Sequence, residues 1–149
     1  MNRFWLVGMI SVSCAPQEGI VGLWDATEKD GMQFPIVYEG DAAQEELGDP
    51  DLQKAVQEMQ IDVLAEGTGT LVSHFDMTNT DGSRYDFSYP MEMTVDLTST
   101  PYELIATDNE TAESITMSCA HTQSGLLSCS YTVNDPEAPQ GTLTFMRSQ

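Results

Sequence analysis

Apolar residues alternate with polar ones along most of this sequence, and that period of two limits the fold more than any other feature. The clearest run is Tyr89 to Leu97, in which every second residue is apolar. Successive side chains of a strand point to opposite faces of a sheet, so the run predicts a strand with one buried face. Turn-forming pairs separate such runs, namely Asp30-Gly31, Asp81-Gly82, Asp108-Asn109, Ser124-Gly125 and Asp135-Pro136. About eight or nine strands joined by short turns predict an all-β antiparallel meander.

A meander of this size has an unpaired edge at its first and last strands unless the sheet closes into a barrel. Gly22 and Trp24 form a Gly-x-Trp motif on the first strand, and Arg147 lies on the last strand. The combination resembles the lipocalin and fatty-acid-binding barrels, in which this tryptophan packs beneath an arginine or lysine from near the last strand. The resemblance implies a small up-and-down barrel over residues 19–149, with these three residues at its closure.

One segment departs from the strand pattern and predicts a short helix near residues 50–59. Asp49 suits the N-cap, and a proline follows at the first helical position. Three apolar residues share one stripe of that helix: Leu52, Val56 and Met59. We expect the helix to lie against the sheet or across a barrel mouth. The acidic stretch 39–48 before it predicts a mobile loop, and residues 134–140, with two prolines, predict another.

The N-terminus resembles the signal peptide of bacterial lipoproteins. A basic residue, the apolar run 4–10 and small residues precede Cys14, as in a lipobox. In that family the cysteine is lipidated and becomes the mature N-terminus, which implies a signal peptide over 1–13, a tether over 14–18 and a lipid anchor in the membrane. Ala15 after the cysteine implies an exported protein at the outer membrane, facing the periplasm or the cell surface. The alternative is a buried strand with an unrelated cysteine.

The chain has three cysteines, which leaves one unpaired in an exported protein. Lipidation of Cys14 accounts for one and leaves Cys119 and Cys129 for each other. A tight turn at Ser124-Gly125 places these two opposite each other in a hairpin, with Cβ atoms about 4.5–5.5 Å apart. We therefore predict a disulfide between them.

The net charge is strongly negative, since five Lys and Arg stand against 24 Asp and Glu, giving −19. Such a surface repels nucleic acid and anionic headgroups, and we expect neither as a general partner. It attracts cations and basic peptides.

No catalytic or metal-binding motif stands out. His74 falls on the polar face of its strand and His121 in a loop, so we interpret both as surface histidines. Four oxygen-bearing residues suggest calcium: Asp76, Asn79, Asp81 and Asp86. An EF-hand loop fails there, because counting from Gly82 puts a methionine at its first position and a serine at its twelfth. We interpret Asp81-Gly82 as a type I′ hairpin turn.

The predicted inward faces suggest a site for a small hydrophobic ligand. The candidate ligand-binding residues on them are Phe75, Met77, Phe87, Tyr89, Met91, Met93, Met117 and Tyr131, and Tyr85 shares the same faces. Methionine adapts to irregular apolar shapes and tyrosine adds a polar handle. The alternative is that these side chains fill the barrel, whose acidic surface then binds a basic partner or cations. Either way we expect a non-catalytic monomer without a cofactor.

Overall fold

The computed structural model describes residues 19–133 and 140–148, an all-β chain with one short helix. Its strands are β1 (Gly22–Lys29), β2 (Met32–Gln33), β3 (Ile36–Glu39), β4 (Leu52–Val63), β5 (Thr68–Asn79), β6 (Arg84–Asp96), β7 (Tyr102–Thr107), β8 (Ser114–Gln123), β9 (Leu126–Val133) and β10 (Gly141–Arg147). The helix α1 (Asp41–Leu47) lies between β3 and β4. Cys14, the signal peptide and tether predicted before residue 19, and most of the loop predicted at 134–140 lie outside the described residues.

Within the described residues, eight strands close into an antiparallel barrel, which confirms the predicted fold class. From β4 to β10, each strand pairs with the next strand in the sequence. β1 completes the ring because it pairs with β10 on one side and with β4 on the other. β1 contacts β4 only from Gly22 to Asp25. Beyond that point β2 pairs with the end of β1, and β3 pairs with the first half of β4.

The prediction of a helix near residues 50–59 is wrong, because most of that segment belongs to β4. β4 pairs with β5 along its whole length, and this pairing overrides the weak local helix preference. The strand alternation is hidden in the sequence, since the polar Gln57 is buried while the apolar Val56 faces outward. An irregularity between Leu52 and Lys54 also shifts the alternation at the start of the strand.

The helix lies earlier, within the stretch 39–48 that the sequence predicted to be a loop. Asp41 places a negative charge in the first turn of α1, and Gly48 ends the helix in the left-handed conformation. Ala43 is fully buried and anchors the helix in a small apolar cluster with Leu52, Ala55, Phe75 and Met77. Leu47 packs against the same cluster, and the side-chain amide of Gln44 donates to the carbonyl of Leu52 at 3.0 Å. Two apolar side chains and one hydrogen bond are enough to dock so short a helix, although the stretch is mostly polar.

The type I′ turn lies at Asp30-Gly31 rather than at Asp81-Gly82. Both residues of the first pair have positive φ, 51° and 87°, as this turn requires. At the second pair only Gly82 has a positive φ. Asp81 instead accepts hydrogen bonds from the backbone N–H and the hydroxyl of Ser83, which stabilises a longer connection.

The barrel has two different ends, which we call the base and the mouth. The β4–β5, β6–β7 and β8–β9 turns lie at the base, where the chain also enters β1. Large side chains fill the interior above the base, and five of them are wholly buried: Trp24, Ile61, Leu104, Met117 and Phe145. The mouth holds the β1–β2, β5–β6 and β7–β8 turns together with α1.

The predicted disulfide forms between Cys119 and Cys129. The two residues are direct partners on β8 and β9, and both side chains are buried in the main core. The connection at Ser124-Gly125 is the tight turn that the sequence predicted. The disulfide therefore links neighbouring strands from inside the barrel.

Candidate functional site

The base is closed by a stack of Arg147 on Trp24, the residues that the barrel resemblance singled out. The guanidinium Cζ lies 4.2 Å from the centroid of the indole ring. The two terminal nitrogens of Arg147 donate hydrogen bonds to the carbonyls of Val21 (3.0 Å) and Gly19 (2.8 Å). The indole N–H of Trp24 donates to the carbonyl of Ile20 at 2.8 Å. The segment that enters β1 is thus tied across the base by both residues.

Gly22 is part of the same arrangement for two independent reasons. Its φ of 132° is one that residues with a side chain rarely adopt. A Cβ atom at this position would also lie 2.6 Å from Nη1 of Arg147. The glycine of the Gly-x-Trp motif therefore makes room for the arginine that covers the tryptophan.

His121 also lies at the base, which corrects its predicted place in an exposed loop. It belongs to β8, and its ring centroid is 5.9 Å from that of Trp24 and 6.0 Å from that of Tyr102. Both ring nitrogens are buried and have no hydrogen-bond partner in the described part of the chain. His74 lies on the outer face of β5, with Nε2 3.6 Å from a carboxylate oxygen of Asp86. The two histidines do not share a site.

At the mouth, the β5–β6 hairpin extends beyond the neighbouring wall of the barrel. β6 pairs with β5 from Arg84 to Thr94, but with β7 only from Glu92 to Asp96. In the described residues, the first half of β6 therefore has a strand on one side only. Both of its faces are exposed as far as Pro90.

The inward face of this extension carries three exposed aromatic residues, Tyr85, Phe87 and Tyr89, which we call the aromatic wall. Their side chains are 41 %, 39 % and 39 % exposed. Phe87 stacks on its strand partner Phe75, with ring centroids 5.3 Å apart, and Phe75 is buried beside α1. Aromatic residues of this size are mostly buried in a folded domain. The aromatic wall is thus apolar surface that the described part of the chain leaves exposed.

Tyr131 of β9 lies at the same end of the barrel and is held by the β1–β2 turn. Its hydroxyl donates to Oδ2 of Asp30 at 2.8 Å, and Oδ1 of that aspartate accepts the N–H of Thr142 at 2.8 Å. The strand partner of Tyr131 is Gly141, where a Cβ atom would lie 2.6 Å from the tyrosine ring. The missing side chain lets the ring lie across β10.

Three tyrosines at the mouth share one arrangement, in which the hydroxyl donates to an aspartate. The pairs are Tyr131 with Asp30 (2.8 Å), Tyr89 with Asp108, and Tyr85 with Asp49 (3.4 Å). A fourth tyrosine, Tyr38 of β3, donates to the side-chain oxygen of the buried Gln57 at 3.2 Å. The hydroxyls of these tyrosines therefore already donate hydrogen bonds within the protein. The groups at the mouth that remain available for contact are ring faces and carboxylate oxygens.

The electrostatics of these groups keep the tyrosines neutral and Asp108 charged. Burial, and then the hydrogen bond to Asp30, raise the pKa of Tyr131 far above its ordinary value. Burial, and then the charge of Glu46, raise the pKa of Tyr38. The hydroxyl of Tyr89 lowers the pKa of Asp108, helped by the backbone N–H of Glu110.

The structure divides the eight residues predicted to line a ligand site into two groups. Three are buried in the main core below the mouth: Met91, Met93 and Met117. The other five lie toward the mouth: Phe75 and Met77 beneath α1, and Phe87, Tyr89 and Tyr131. The aromatic members thus gather at one end together with Met77, and the other three methionines pack the barrel.

Sequence reasoning missed three residues at the mouth, Asp30, Asp108 and Tyr38. A signal for the aspartates was present, since both lie in predicted turns, and alternate turns of a meander fall at the same end. Tyr38 gave no such signal, because it lies on the short β3 that pairs outside the meander.

The described residues offer little support for other chemistry. No group of three or more His, Cys, Asp and Glu side chains within 19–133 and 140–148 is placed to hold a metal ion. Asp76, which had suggested calcium, pairs with Arg84 at 3.2 Å on the outer face of the β5–β6 hairpin. None of the helices in this part of the chain is both long and apolar enough to traverse a membrane.

We predict that Gly22→Ala lowers the free energy of unfolding by about 2–4 kcal/mol, because it combines a strained φ with a clash against Arg147. Gly82→Ala is the matched control, since Gly82 has a positive φ but open space around it, and it should cost only about 1–2 kcal/mol. In an Arg147→Met background the cost of Gly22→Ala should fall, because the clashing nitrogen is gone. Urea unfolding followed by circular dichroism measures all three, and additive costs would contradict the proposed clash.

We predict that Asp108 titrates below the ordinary range of aspartate, and that Tyr89→Phe raises its pKa toward that range. Because its pKa is depressed in the folded state, the hydrogen bonds of Asp108 stabilise the fold at pH values above the ordinary pKa of aspartate. The contribution is lost as the pH falls through the depressed value. Carbon NMR of the carboxyl groups follows the titration, with Tyr85→Phe as the control that leaves Asp108 unchanged. An Asp108 pKa that is the same with and without the Tyr89 hydroxyl would refute the assignment.

Comparison with known proteins adds no functional assignment. Neither a protein-family model nor a curated protein sequence matches the chain. Among solved structures, the chain is similar to a de novo designed fluorescence-activating β-barrel at 9 % sequence identity, with 93 % of this chain and 100 % of that chain covered and a TM-score of 0.42. A similarity at this TM-score and identity does not indicate a function for the chain.

Proposed function

We propose that this protein is a non-catalytic, lipid-anchored binding protein of the bacterial envelope that holds a small hydrophobic ligand at the mouth of its barrel. The observation that carries the proposal is the aromatic wall, Tyr85, Phe87 and Tyr89. Burial of apolar surface is worth about 25 cal/mol per Å², so uncovered aromatic rings gain free energy when a ligand covers them.

The surroundings of the wall support a ligand of small size. α1 packs on the inward face of β4 and β5 beside it, through Ala43. Tyr131 lies on β9, and its partial burial and its hydrogen bond to Asp30 fix the position of its ring. A ligand at the mouth would meet apolar ring faces from more than one strand, as is typical of small-molecule sites.

The methionines below the mouth favour a shallow site over a deep one. Met91, Met93 and Met117 are buried in the main core together with Trp24 and Phe145. A ligand in that position would have to displace packed side chains, at a cost of about 1–3 kcal/mol by analogy with overpacked cores. We therefore place the ligand above them.

We predict that the purified protein binds the neutral fluorescent probe Nile red, and that Phe87→Ala weakens the binding about tenfold, because the stacked ring is lost from the wall. Met146→Ala is the matched control, since Met146 is exposed to a similar extent, 43 % against 39 % for Phe87, but on the outer face of β10. Fluorescence titration gives the affinities. Equal binding by the two variants, or no binding by the unmodified protein, would contradict the proposed site.

The lipid anchor is supported by the sequence before residue 19 and by the disulfide. Disulfides persist in oxidising compartments such as the periplasm, and the Cys119–Cys129 pair is buried in the core. The first described residue, Gly19, lies at the base. An anchor at Cys14 would therefore leave the mouth at the end of the barrel farther from the membrane.

We predict that the full chain takes up a radiolabelled fatty acid when it is expressed in a Gram-negative host, and that Cys14→Ala abolishes the labelling, because the cysteine is the lipid acceptor. The processed protein should then partition with the membrane fraction. Cys119→Ala with Cys129→Ala is the control, and it should retain the label. Labelling that survives Cys14→Ala would disprove the anchor.

A further inference from the structure

We propose that the ligand of the mouth is an amphiphilic organic cation, with its apolar body on the aromatic wall and its positive head among the surrounding carboxylates. This inference rests on the proposed function and names the class of ligand. Two observations support it. Acidic side chains surround the exposed aromatic rings, and the tyrosine hydroxyls at the mouth already donate their hydrogen bonds to aspartates.

Five carboxylates surround the aromatic residues, and we call them the acidic rim. Three of them accept hydrogen bonds from tyrosine hydroxyls: Asp30, Asp49 and Asp108. The other two act on the tyrosines through their charge, Glu46 on Tyr38 and Tyr131, and Glu113 on Tyr89. The rim thus comes from α1, the turn after it, the β1–β2 turn and the β7–β8 turn.

Basic residues do not balance this charge. Within the described ranges Arg84 pairs with Asp76 on the outer face of the β5–β6 hairpin, away from the aromatic wall. Arg147 lies at the base, at the opposite end of the barrel. Lys29 ends β1 next to Asp30, and Lys54 lies near the start of β4, so two lysines stand against the five carboxylates of the rim. The mouth therefore carries a net negative field.

The hydrogen bonds at the mouth also discriminate between ligand charges. The hydroxyls of Tyr85, Tyr89 and Tyr131 already donate to aspartates. An anionic head would need donors of this kind and would instead meet carboxylate oxygens. A cationic head meets these oxygens as partners, and it gains further from the negative faces of the aromatic rings.

The test uses the purified full-length protein and three probes with the same alkyl chain: dodecyltrimethylammonium, dodecanol and dodecanoate. Each displaces Nile red at concentrations below its micelle point, at low and at high salt. We expect the cation to bind at least tenfold more tightly than dodecanoate, with dodecanol between them. The preference should shrink at high salt, because exposed charges are screened.

The three probes separate failure of this inference from failure of the proposed function. If dodecanoate binds as tightly as the cation, and Phe87→Ala weakens both, the hydrophobic site stands and the charge preference is overturned. If none of the probes binds, the proposed function fails and the inference fails with it.

A pair of charge variants distinguishes the acidic rim from the overall charge of −19. Glu46→Gln with Glu113→Gln removes two rim charges from exposed side chains, and it should weaken cation binding about threefold to tenfold. Glu66→Gln with Glu103→Gln removes the same charge from exposed side chains toward the base, and it should leave the affinity within twofold. Equal losses in the two double variants would show that the net charge attracts the cation, and would overturn recognition at the mouth.

Discussion

The rest of this structure depends on the pairing of β1 with two strands at once. A meander from β4 to β10 alone is an open sheet with two free edges, and β1 covers both of them. Its contact with β4 runs only from Gly22 to Asp25, which is little backbone pairing to hold a ring shut. The cation–π stack of Arg147 on Trp24 and its two carbonyl hydrogen bonds supply the rest at the same end. Side-chain contacts of Arg147 and Trp24 therefore complete a closure in which β1 and β4 pair over only a few residues.

The shortness of that ladder also explains why the two ends of the barrel differ. After Asp25, β1 and β4 separate, and the chain between them folds as β2, β3 and α1. α1 covers one side of the mouth, so the inward faces of β4 and β5 are buried there. On the other side β7 is only about half as long as β6, and no strand of the described chain pairs with that edge of the first half of β6. One alternation of side chains thus yields a core near the base and an exposed aromatic wall at the mouth.

The parts of this arrangement that depend on local patterns were predictable. Alternation gave the strands, the Cys119–Cys129 pair followed from the symmetry of one hairpin, and the Gly-x-Trp motif indicated the closure. The segment near residues 50–59 was wrongly predicted to be a helix, because its strand alternation is interrupted by an inward glutamine and an outward valine. The site was harder to predict, since its hydrogen bonds join distant parts of the chain: Tyr131 and Asp30 are 101 positions apart. A pattern within one strand shows which residues share a face, but not where the neighbouring strand ends.

The separation of base and mouth explains how the barrel tolerates exposed aromatic rings. The largest wholly buried side chains, Trp24 and Phe145, lie in the main core above the base, together with the disulfide. The rings of the aromatic wall take little part in that core, so their exposure costs the fold little. A chain selected only for stability would replace them with polar residues or extend β7 to cover them. The exposed rings and the neighbouring carboxylates would both gain from the proposed ligand, because its apolar body would cover the rings and its positive head would meet the carboxylates.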